Sequence, residues 1–316
     1  MSMQNYIILP IYFILVRKNL ENIVVFRRKL VYLQGMIKPI EYTVNVRGRL
    51  VDLSQPKVMG ILNVTPDSFY SGSRKQTEQE IAARANQIVE EGGAFIDVGA
   101  FSTRPGATEV DEAEEARRLK WALDIVRREQ PDVPLSVDTY RPSVARRCIE
   151  EWGADIINDV SEGGLTGIVN TPIHESGSMF ELVGELKVPY ILMSVKPTLR
   201  EMLVAFAAEV QQLRDLGAKD IILDPGYGFG KTLEQNYEIM SQAERLLILE
   251  LPVLAGISRK SMIYKLIGGT PETSLCGTVA LNTVSLMKGA GILRVHDVKE
   301  AVDTVRMVGM MAAAGH

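Results

Sequence analysis

The residues with the clearest chemical potential are polar side chains that end short apolar runs rich in β-branched residues. In chain order they are Asn63, Asp97, Asp138, Asn158, Asp224, Lys260, Arg294 and His296. Carboxylates and amides suit the N–H groups of a flat heterocycle, whereas lysine, arginine and histidine suit a phosphate-bearing substrate. Charges of this kind are costly to bury together unless they pair or bind a ligand. The set therefore predicts a ligand site with a heterocycle-binding part and an anion-binding part.

Each member also has a structural explanation when it is taken alone. An aspartate after a strand, such as Asp138, Asp159 or Asp297, commonly caps the following helix. His296 alone would more often be structural than catalytic, and Arg294 could pair with an internal carboxylate. The prediction of a site therefore depends on the whole set rather than on any single residue.

The elements that must position these residues repeat as a short strand followed by an amphipathic helix. Strands are predicted at residues 58–64, 94–98, 134–137, 155–157, 188–193, 220–223, 252–257 and 291–295, after a β-hairpin at residues 42–53. This pattern predicts an α/β fold, the TIM (β/α)8 barrel with an N-terminal β-hairpin, whose active site lies at the carboxyl ends of the strands. An open doubly wound sheet is the alternative, but no Gly-x-Gly-x-x-Gly sequence follows the first strand.

Glycines mark the ends of several predicted helices. Helices predicted at residues 78–91, 143–152 and 199–216 each stop beside a glycine, namely Gly92, Gly153 and Gly217. One glycine-rich stretch is misleading, because residues 226–232 end like a nucleotide-binding loop. Pro225 stands where that motif requires its first glycine, so the stretch does not predict a nucleoside triphosphate site.

Composition limits the partners and the compartment of the protein. The chain has 316 residues and a net charge of −4, so no general basic field favours nucleic acid or an anionic membrane as a partner. The apolar run at residues 6–16 is too short to span a bilayer as a helix, and we expect no membrane anchor. Cys148 and Cys276 are expected to be buried thiols of a cytoplasmic protein.

The domain organisation is predicted to be simple. Met36 starts a stretch that reads like the natural beginning of a domain, and no linker divides residues 41–316. We therefore interpret residues 1–35 as an N-terminal appendage and residues 36–316 as one catalytic barrel domain.

The motifs at the strand ends resemble those of dihydropteroate synthases. They are Asn-Val-Thr-Pro-Asp-Ser-Phe at residues 63–69, Ser-Thr-Arg-Pro-Gly at 102–106, Ser-Val-Asp-Thr at 136–139, Ile-Asn-Asp at 157–159, Asp-Pro-Gly-Tyr-Gly-Phe-Gly-Lys at 224–231, Ser-Arg-Lys-Ser at 258–261 and Arg-Val-His-Asp-Val at 294–298. The similarity runs in order from about residue 40 to the C-terminus. It implies a TIM-barrel transferase of folate biosynthesis that joins (7,8-dihydropterin-6-yl)methyl diphosphate to 4-aminobenzoate, giving 7,8-dihydropteroate and diphosphate.

The resemblance also implies a role for individual residues. The pterin ring would be held by Asp138, Asn158, Asp224 and Lys260, with Met193 against its face. The diphosphate would be bound by Asn63, Arg294 and His296, and Asn63 would also ligate Mg2+. The aminobenzoate pocket would be formed by Thr103, Arg104, Pro105, Phe229 and Ser261. The pterin cation formed when diphosphate leaves would be favoured by Asp97, Asp138 and Asp224, which with Lys260 are the expected catalytic residues.

Three features depart from the family pattern. The fifth barrel strand ends in Met193-Ser194, where the family usually has Met-His. The segment at residues 161–178 is longer and less typical than expected, and residues 1–35 have no counterpart.

Two other functions remain open at this point. Another pterin-binding barrel, such as a methyltetrahydrofolate-dependent methyltransferase domain, would need neither a diphosphate grip nor the Ser-Thr-Arg-Pro-Gly loop. A non-catalytic pterin-binding protein would be expected to have lost Asn63, Arg104 or Lys260. The resemblance further implies small-molecule substrates, competitive inhibition by sulfonamides and a homodimer. Residues 302–314 would contribute to the dimer interface or form a buried core helix.

Overall fold

The computed structural model describes residues 41–64, 74–100, 110–163 and 178–314. In chain order the elements of this part are β1 (Thr43–Val46), β2 (Arg49–Asp52), β3 (Lys57–Asn63), α1 (Arg74–Glu90), β4 (Phe95–Gly99), α2 (Glu112–Glu129), β5 (Leu135–Asp138), α3 (Pro142–Glu150), β6 (Ile156–Asp159), α4 (Met179–Leu186), β7 (Tyr190–Met193), α5 (Leu199–Asp215), β8 (Ile221–Asp224), α6 (Leu233–Ser241), a 3-10 helix (Ala243–Leu249), β9 (Leu254–Ala255), α7 (Ser261–Ile267), α8 (Leu275–Met287), β10 (Ile292–Val295) and α9 (Val298–Ala314).

The strands from β3 to β10 form one parallel sheet rolled into a barrel. Ladder hydrogen bonds join neighbours in chain order from β3 to β8, while β10 pairs with both β9 and β3. A parallel bridge between Leu223 and Val253 brings β8 beside the segment that leads into β9. The predicted TIM barrel is therefore confirmed, and the hairpin β1–β2 forms a separate antiparallel sheet.

Apolar side chains fill two zones of this architecture. The larger zone lies between the strands and the surrounding helices and includes Ile81 and Ile88 of α1. The smaller zone joins Val44 and Val46 of the hairpin to the first residues of the barrel strands: Met59, Phe95, Ile156, Ile191, Ile222, Leu254 and Ile292. Because these residues lie at the amino ends of the strands, the hairpin covers the end of the barrel opposite the polar strand ends.

The predicted strands overlap all of the observed barrel strands, and the largest difference concerns the seventh. Residues 252–257 are predicted to be extended, but β9 covers only Leu254–Ala255. An added Cβ at the next residue, Gly256, would lie 3.9 Å from both Asp224 Oδ2 and Arg294 Cβ. The strand thus ends early, where the chain passes close to the charged side chains of neighbouring strands.

The helix ends follow the glycines as predicted. Gly92, Gly153 and Gly217 have φ values of +93°, +76° and +100°, the left-handed conformation that terminates helices most easily with glycine. The first helix begins at Arg74 rather than at residue 78. Its apolar periodicity becomes regular only from Ile81, so the pattern gave no signal for the first turn.

The cysteines agree only in part with the prediction. Both are free thiols, but Cys148 is buried whereas Cys276 is exposed. The prediction was wrong for Cys276 because this residue lies on the side of α8 opposite the buried Thr278 and Asn282. Within the described part of the chain, no helix is long and apolar enough to cross a membrane. Residues 1–40, which carry the predicted domain boundary, lie outside the described residues.

Candidate active site

Backbone register brings the polar residues of the first four barrel strands to one level at their carboxyl ends, here called the barrel mouth. Asn63 is paired with Gly99, Gly99 with Asp138, and Asp138 with Asn158. An added Cβ at Gly99 would lie 3.2 Å from Asn63 Oδ1 and 3.5 Å from Asp138 Cβ. The absence of a side chain on Gly99 therefore leaves space at the mouth between the amide and the carboxylate.

Asp97 joins three strands beneath the mouth. It is completely buried, and its Oδ2 accepts hydrogen bonds from Arg294 Nε at 2.6 Å and from Asn158 Nδ2 at 3.1 Å. Arg294 Nη2 also donates to Asp138 Oδ2 at 2.7 Å. The explanation of Arg294 as the partner of internal carboxylates is thus correct, and the same pairing places its guanidinium between two of the predicted site residues.

Asp138 combines an ion pair with an acceptor atom that has no described donor. Burial raises the pKa of Asp138 to about 7, with the charge of Arg294 opposing the shift and that of Asp97 adding to it. The Oδ1 atoms of Asp138 and Asp97 are buried and accept no hydrogen bond from the described residues. Since buried acceptors normally have partners, these atoms are suited to N–H donors of a ligand.

Asp224 and Lys260 form the opposite side of the mouth. Asp224 Oδ1 accepts a hydrogen bond from the Gly226 backbone N–H at 2.7 Å, and Lys260 Nζ donates to the Tyr227 carbonyl at 2.5 Å. Burial raises the pKa of Asp224, which the charge of Lys260 opposes. Burial lowers the pKa of Lys260 to about 8, which the charge of Asp224 opposes. The two groups therefore stabilise each other's charged forms.

Three predicted substrate-binding residues surround this pair. The Phe229 ring centroid lies 4.5 Å from Lys260 Nζ, a cation–π distance. Ser261 is the half-buried first residue of α7 and directly follows Lys260. Met193 is completely buried, and an added Cβ at Gly226 would lie 2.9 Å from its Cγ. Met193 thus supports the loop after β8 from below.

His296 is held through its backbone by two neighbouring elements. Its N–H donates to Ser258 Oγ at 3.1 Å, and its carbonyl accepts from Arg84 Nη2 at 2.6 Å. Arg84 Nε also donates to the Ile61 carbonyl at 3.3 Å. Arg84 therefore ties together the ends of β10 and β3, which carry His296 and Asn63.

Arg259 fixes the segment that carries Lys260. Its backbone is left-handed, with φ +56°, and its Nε and Nη2 donate to the two carboxylate oxygens of Asp297 at 2.9 and 2.7 Å. This two-pronged pair joins the segment after β9 to the segment after β10. Asp297 is thus an ion-pair partner, and its pairing holds Lys260 in a defined position relative to His296.

Three of the predicted aminobenzoate residues, Thr103, Arg104 and Pro105, lie outside the described residues. The residues on either side of their segment are anchored to described arginines. The Ala100 carbonyl accepts from Arg118 Nη1 at 3.2 Å, and the Val110 carbonyl accepts from Arg141 Nη2 at 2.8 Å. The predicted roles of the three residues remain predictions.

The unusual fifth-strand end is part of a buried polar group. Ser194 is completely buried, and its hydroxyl donates to Glu162 Oε1 at 2.9 Å. Glu162 is also completely buried, and its Oε2 lies 3.3 Å from Lys196 Nζ. A serine at this position thus binds a carboxylate that comes from the loop after β6.

Several of these supporting residues are absent from the sequence-based prediction. Arg259 lies inside the motif at residues 258–261, but the motif does not indicate that it pairs with Asp297. Arg84 follows Ile81 by three residues and so lies beside the apolar face of α1, which is a usable signal for a buried contact. Glu162 gave no signal, because the segment from residue 161 has no periodicity.

Comparison with known proteins agrees with this geometry. The family model described as "Pterin binding enzyme" matches residues 59–296. Dihydropteroate synthase of Escherichia coli (strain K12) is 37% identical over 277 residues, which cover 83% of this chain and 94% of that protein. Dihydropteroate synthase of Streptococcus pyogenes serotype M3 is 35% identical over 274 residues, covering 84% of this chain and 98% of that protein.

Solved structures give the same result. Xanthomonas albilineans dihydropteroate synthase with 4-aminobenzoic acid has a TM-score of 0.75 at 34% identity, and the match covers 86% of this chain and 98% of that chain. The same organism's enzyme in complex with 7,8-dihydropteroate has a TM-score of 0.75 at 32% identity, covering 86% of this chain and 99% of that chain. The protein described here therefore belongs to the dihydropteroate synthase family of pterin-binding enzymes.

Proposed function

We propose that this chain is a dihydropteroate synthase that joins (7,8-dihydropterin-6-yl)methyl diphosphate to 4-aminobenzoate. The observation that carries the proposal is the pair of carboxylates of half-buried Asp138 and buried Asp224, at a mouth that also holds Arg294 and Lys260. Asp138 Oδ1 accepts no hydrogen bond from the described residues and can accept one from a pterin N–H. The named relatives, which include enzymes solved with 4-aminobenzoic acid and with 7,8-dihydropteroate, support the same assignment.

The pterin ring is expected to lie across the mouth from Asp138 to Asp224. Both carboxylates accept hydrogen bonds, and the Asn158 amide, held by Asp97 at 3.1 Å, keeps its oxygen as an acceptor. Lys260 donates from the side of the Tyr227 carbonyl. Because Asp97 is completely buried, we assign it a positioning role, in which it orients Arg294 and Asn158 beneath the ring.

The reaction breaks the C–O bond between the pterin methylene carbon and the diphosphate, which leaves with the bonding electron pair. The methylene carbon then carries positive charge that the ring shares, and Asp138 and Asp224 favour this charge electrostatically. The aminobenzoate nitrogen forms the new C–N bond and loses one proton. Arg294 and His296 are expected to stabilise the departing diphosphate.

We propose Mg2+ as the metal of this reaction. Among the described residues, no group of three or more His, Cys, Asp or Glu side chains could hold a metal ion. Mg2+ nevertheless commonly binds through only one or two protein side chains, usually carboxylates, together with substrate phosphates. Here the Asn63 amide oxygen beside Gly99 would supply the protein ligand. When bound, the metal would neutralise charge on the diphosphate.

The aminobenzoate site is proposed to include Phe229 and Ser261, together with Thr103, Arg104 and Pro105. Phe229 offers a flat ring on which an aromatic substrate can stack, and Lys260 already holds that ring from one side at 4.5 Å. A Yersinia pestis dihydropteroate synthase has been solved with a sulfonamide drug. Sulfonamides are therefore expected to compete with aminobenzoate, and inhibition independent of aminobenzoate concentration would contradict this pocket.

The function is tested by incubating the purified protein with the pterin diphosphate, Mg2+ and labelled 4-aminobenzoate. Labelled dihydropteroate, formed in equal amount with diphosphate, is the expected result. Pterin binding without product would instead indicate a non-catalytic pterin-binding protein. Methyl transfer from methyltetrahydrofolate without dihydropteroate would indicate the methyltransferase alternative.

A homodimer is proposed from exposed apolar residues on the last helices. These residues are Leu266, Ile267, Met287, Met307, Met310 and Met311. Helix α9 buries Val298, Ala301 and Thr304 and packs Val302, Val305 and Val308 against the core, but residues 309–314 are exposed. The alternative of a buried core helix therefore describes only part of α9. Light scattering should give twice the monomer mass, and Met307→Lys should shift the protein toward monomer; a monomeric wild-type protein would reject the proposal.

The appendage and the location also remain proposals. A chain beginning at Met36 should fold and turn over like the full chain if residues 1–35 are an appendage, and loss of folding would contradict that interpretation. A cytoplasmic location is proposed because Cys148 and Cys276 are free thiols. Cell fractionation that recovers the protein with membranes would contradict it.

A further inference from the structure

Lys231 uses all three protons of its ammonium group on backbone carbonyls. Nζ donates to Ser194 O at 2.9 Å, to Gly226 O at 3.0 Å and to Phe229 O at 3.2 Å. A lysine ammonium has three donors and no acceptor, so this arrangement satisfies it completely. One side chain thereby connects the end of β7 with two points of the loop that follows β8.

The loop held by Lys231, residues 225–231, also contacts Lys260, which is predicted to bind the substrate. Lys260 Nζ donates to the Tyr227 carbonyl at 2.5 Å and lies 4.5 Å from the centroid of the Phe229 ring. Gly226 has φ +62°, and an added Cβ there would lie 2.3 Å from the Ser194 carbonyl oxygen. The loop therefore packs closely against the end of β7, and two lysines, Lys231 and Lys260, donate hydrogen bonds to its carbonyls.

From these contacts we propose that Lys231 is a positioning residue that holds residues 225–231 against β7 and so sets Phe229 and Lys260 for substrate binding. The inference rests on the proposed function, because it concerns the same site. The three donors of Lys231 Nζ are occupied by these carbonyls, so none is left for a substrate.

The charge of Lys231 has a second consequence for the site. Burial lowers the pKa of Lys231 to about 8, and the negative charges of Asp224 and Glu162 oppose this shift. Burial raises the pKa of Asp224, and the charge of Lys231 is among the effects that lower it again. The charged groups that act on Asp224 or Lys231 are Lys260, Arg294 and Glu162. Removing the charge of Lys231 should therefore make Asp224 easier to protonate.

The test compares Lys231→Met with Lys231→Arg, which keeps the charge. For Lys231→Met we expect the KM for aminobenzoate to rise about tenfold or more, because Phe229 is no longer fixed. We also expect the acid limb of the kcat/KM profile to move to higher pH by about one unit, the size of effect that a nearby opposite charge has on a carboxyl pKa. Lys231→Arg should keep the acid limb of the wild-type protein. Lys299→Met, on the surface of α9, is the matched control and should change neither quantity.

Two outcomes would overturn the inference. One is a Lys231→Met protein with wild-type KM and wild-type pH profile. The other is an equal loss of activity at every pH with unchanged KM, which a merely structural role would produce. If Lys231→Met does not fold, as judged by circular dichroism, Lys231→Gln is measured in the same way.

A second readout keeps this test separate from the test of function. The titration of Asp224 is followed by carboxyl 13C NMR and assigned by comparison with Asp224→Asn. Its midpoint should move upward in Lys231→Met and stay in place in Lys231→Arg. If the wild-type protein makes no dihydropteroate, the proposed function fails. The electrostatic role of Lys231 is rejected only if the titration midpoint of Asp224 is the same in Lys231→Met as in the wild-type protein.

Discussion

The two ends of the barrel bury charge in different ways. At the end covered by the hairpin, here called the base, both oxygens of the buried carboxylate of Asp155 have partners. Asp155, of which 1% is exposed, accepts hydrogen bonds through Oδ2 from Arg127 Nη2 and from the Leu135 N–H, both at 2.8 Å. Its Oδ1 lies 3.1 Å from Arg47 Nε of the hairpin turn. Around it, the hairpin and the first residues of the strands form an apolar cluster.

The mouth carries its charge with incomplete pairing. Asp97 and Asp138 share Arg294, but each keeps a buried oxygen that accepts no hydrogen bond from the described residues. Burial also shifts the pKa of Asp138 upward and that of Lys260 downward, toward neutral pH. Such shifts and unpaired acceptors lower stability, whereas a saturated carboxylate does not. The paired carboxylate of the base therefore stabilises the barrel, whereas the unpaired acceptors of the mouth are suited to a ligand.

The largest effect is expected from removing the shared cation of the mouth. Arg294→Met should lower kcat/KM by roughly 10²- to 10³-fold, because both the diphosphate and the two carboxylates lose their positive partner. Steady-state kinetics of dihydropteroate formation provide the measurement. Arg146→Met, which removes an arginine paired with Glu185 on the outer surface, is the control. A loss smaller than tenfold for Arg294→Met would contradict the role of this residue.

The complementary change at the base should affect stability rather than activity. Asp155→Ala leaves the Arg127 guanidinium and the Leu135 N–H without their partner and should cost about 3 kcal/mol of the free energy of unfolding. Urea unfolding measures the loss, and kcat at a temperature where the protein stays folded should be unchanged. Asp132→Ala, at an exposed ion pair with Arg49, should change neither. If Asp155→Ala lowered kcat in the folded protein, the division between the two ends would be wrong.

The pH dependence of the reaction should follow the shifted groups of the mouth. Burial puts the pKa of Asp138 at about 7 and that of Lys260 at about 8. Asp138 acts as a carboxylate, so kcat/KM rises as pH increases through about 7. Lys260 acts as an ammonium, so kcat/KM falls again as pH increases through about 8. A narrow bell centred between these values is expected. Asp224 must be ionised as well, and burial raises its pKa too, so both carboxylates contribute to the acid limb. Asp138→Asn should remove the part of the limb near pH 7 and leave the part that belongs to Asp224. An acid limb unchanged near pH 7 would show that Asp138 does not contribute to it.

The smallest effect is expected at Glu209 of helix α5, which is buried. Burial, together with the charge of Glu162, raises the pKa of Glu209 to about 7, and Lys196 opposes the shift. Because the folded-state pKa lies above the ordinary value of 4.5, the wild-type protein loses stability as pH rises from about 4.5 through about 7. Glu209→Gln should thus be more stable by at most about 3 kcal/mol at pH 8 and equal at pH 4. The same difference at both pH values would contradict the shift.

The sequence predicted the fold because the barrel is built from a repeated local pattern. Strand and helix periods are properties of short segments, so they identified every barrel strand and the glycines Gly92, Gly153 and Gly217. Errors arose where contacts with distant residues decide the outcome. The strand β9 ends early beside Asp224 and Arg294, and Cys276 faces solvent because only one face of α8 packs on the protein.

The site was predicted less completely than the fold. That residues at strand ends, such as Asp138 and Asp224, lie at one mouth could be predicted because a barrel brings all strand ends together. The partners of those residues could not be found, since a pairing such as that of Asp97 with Arg294 joins residues far apart in the chain. Asp159 also stands at a strand end, but its role is structural. Its carboxylate accepts hydrogen bonds from Ser161 and Tyr190 and so stabilises the turn after β6.

The most direct test of the division between mouth and base is one paired measurement on Lys260→Ala. The rate of labelled dihydropteroate formation and the free energy of unfolding are measured on the same preparation, beside the wild-type protein. We predict that the rate falls by about 100-fold or more. The free energy of unfolding should be unchanged or slightly increased, because the variant removes a half-buried ammonium whose pKa is lowered to about 8. A variant that turns over at nearly the wild-type rate, or one that loses activity only because it unfolds, would contradict the account.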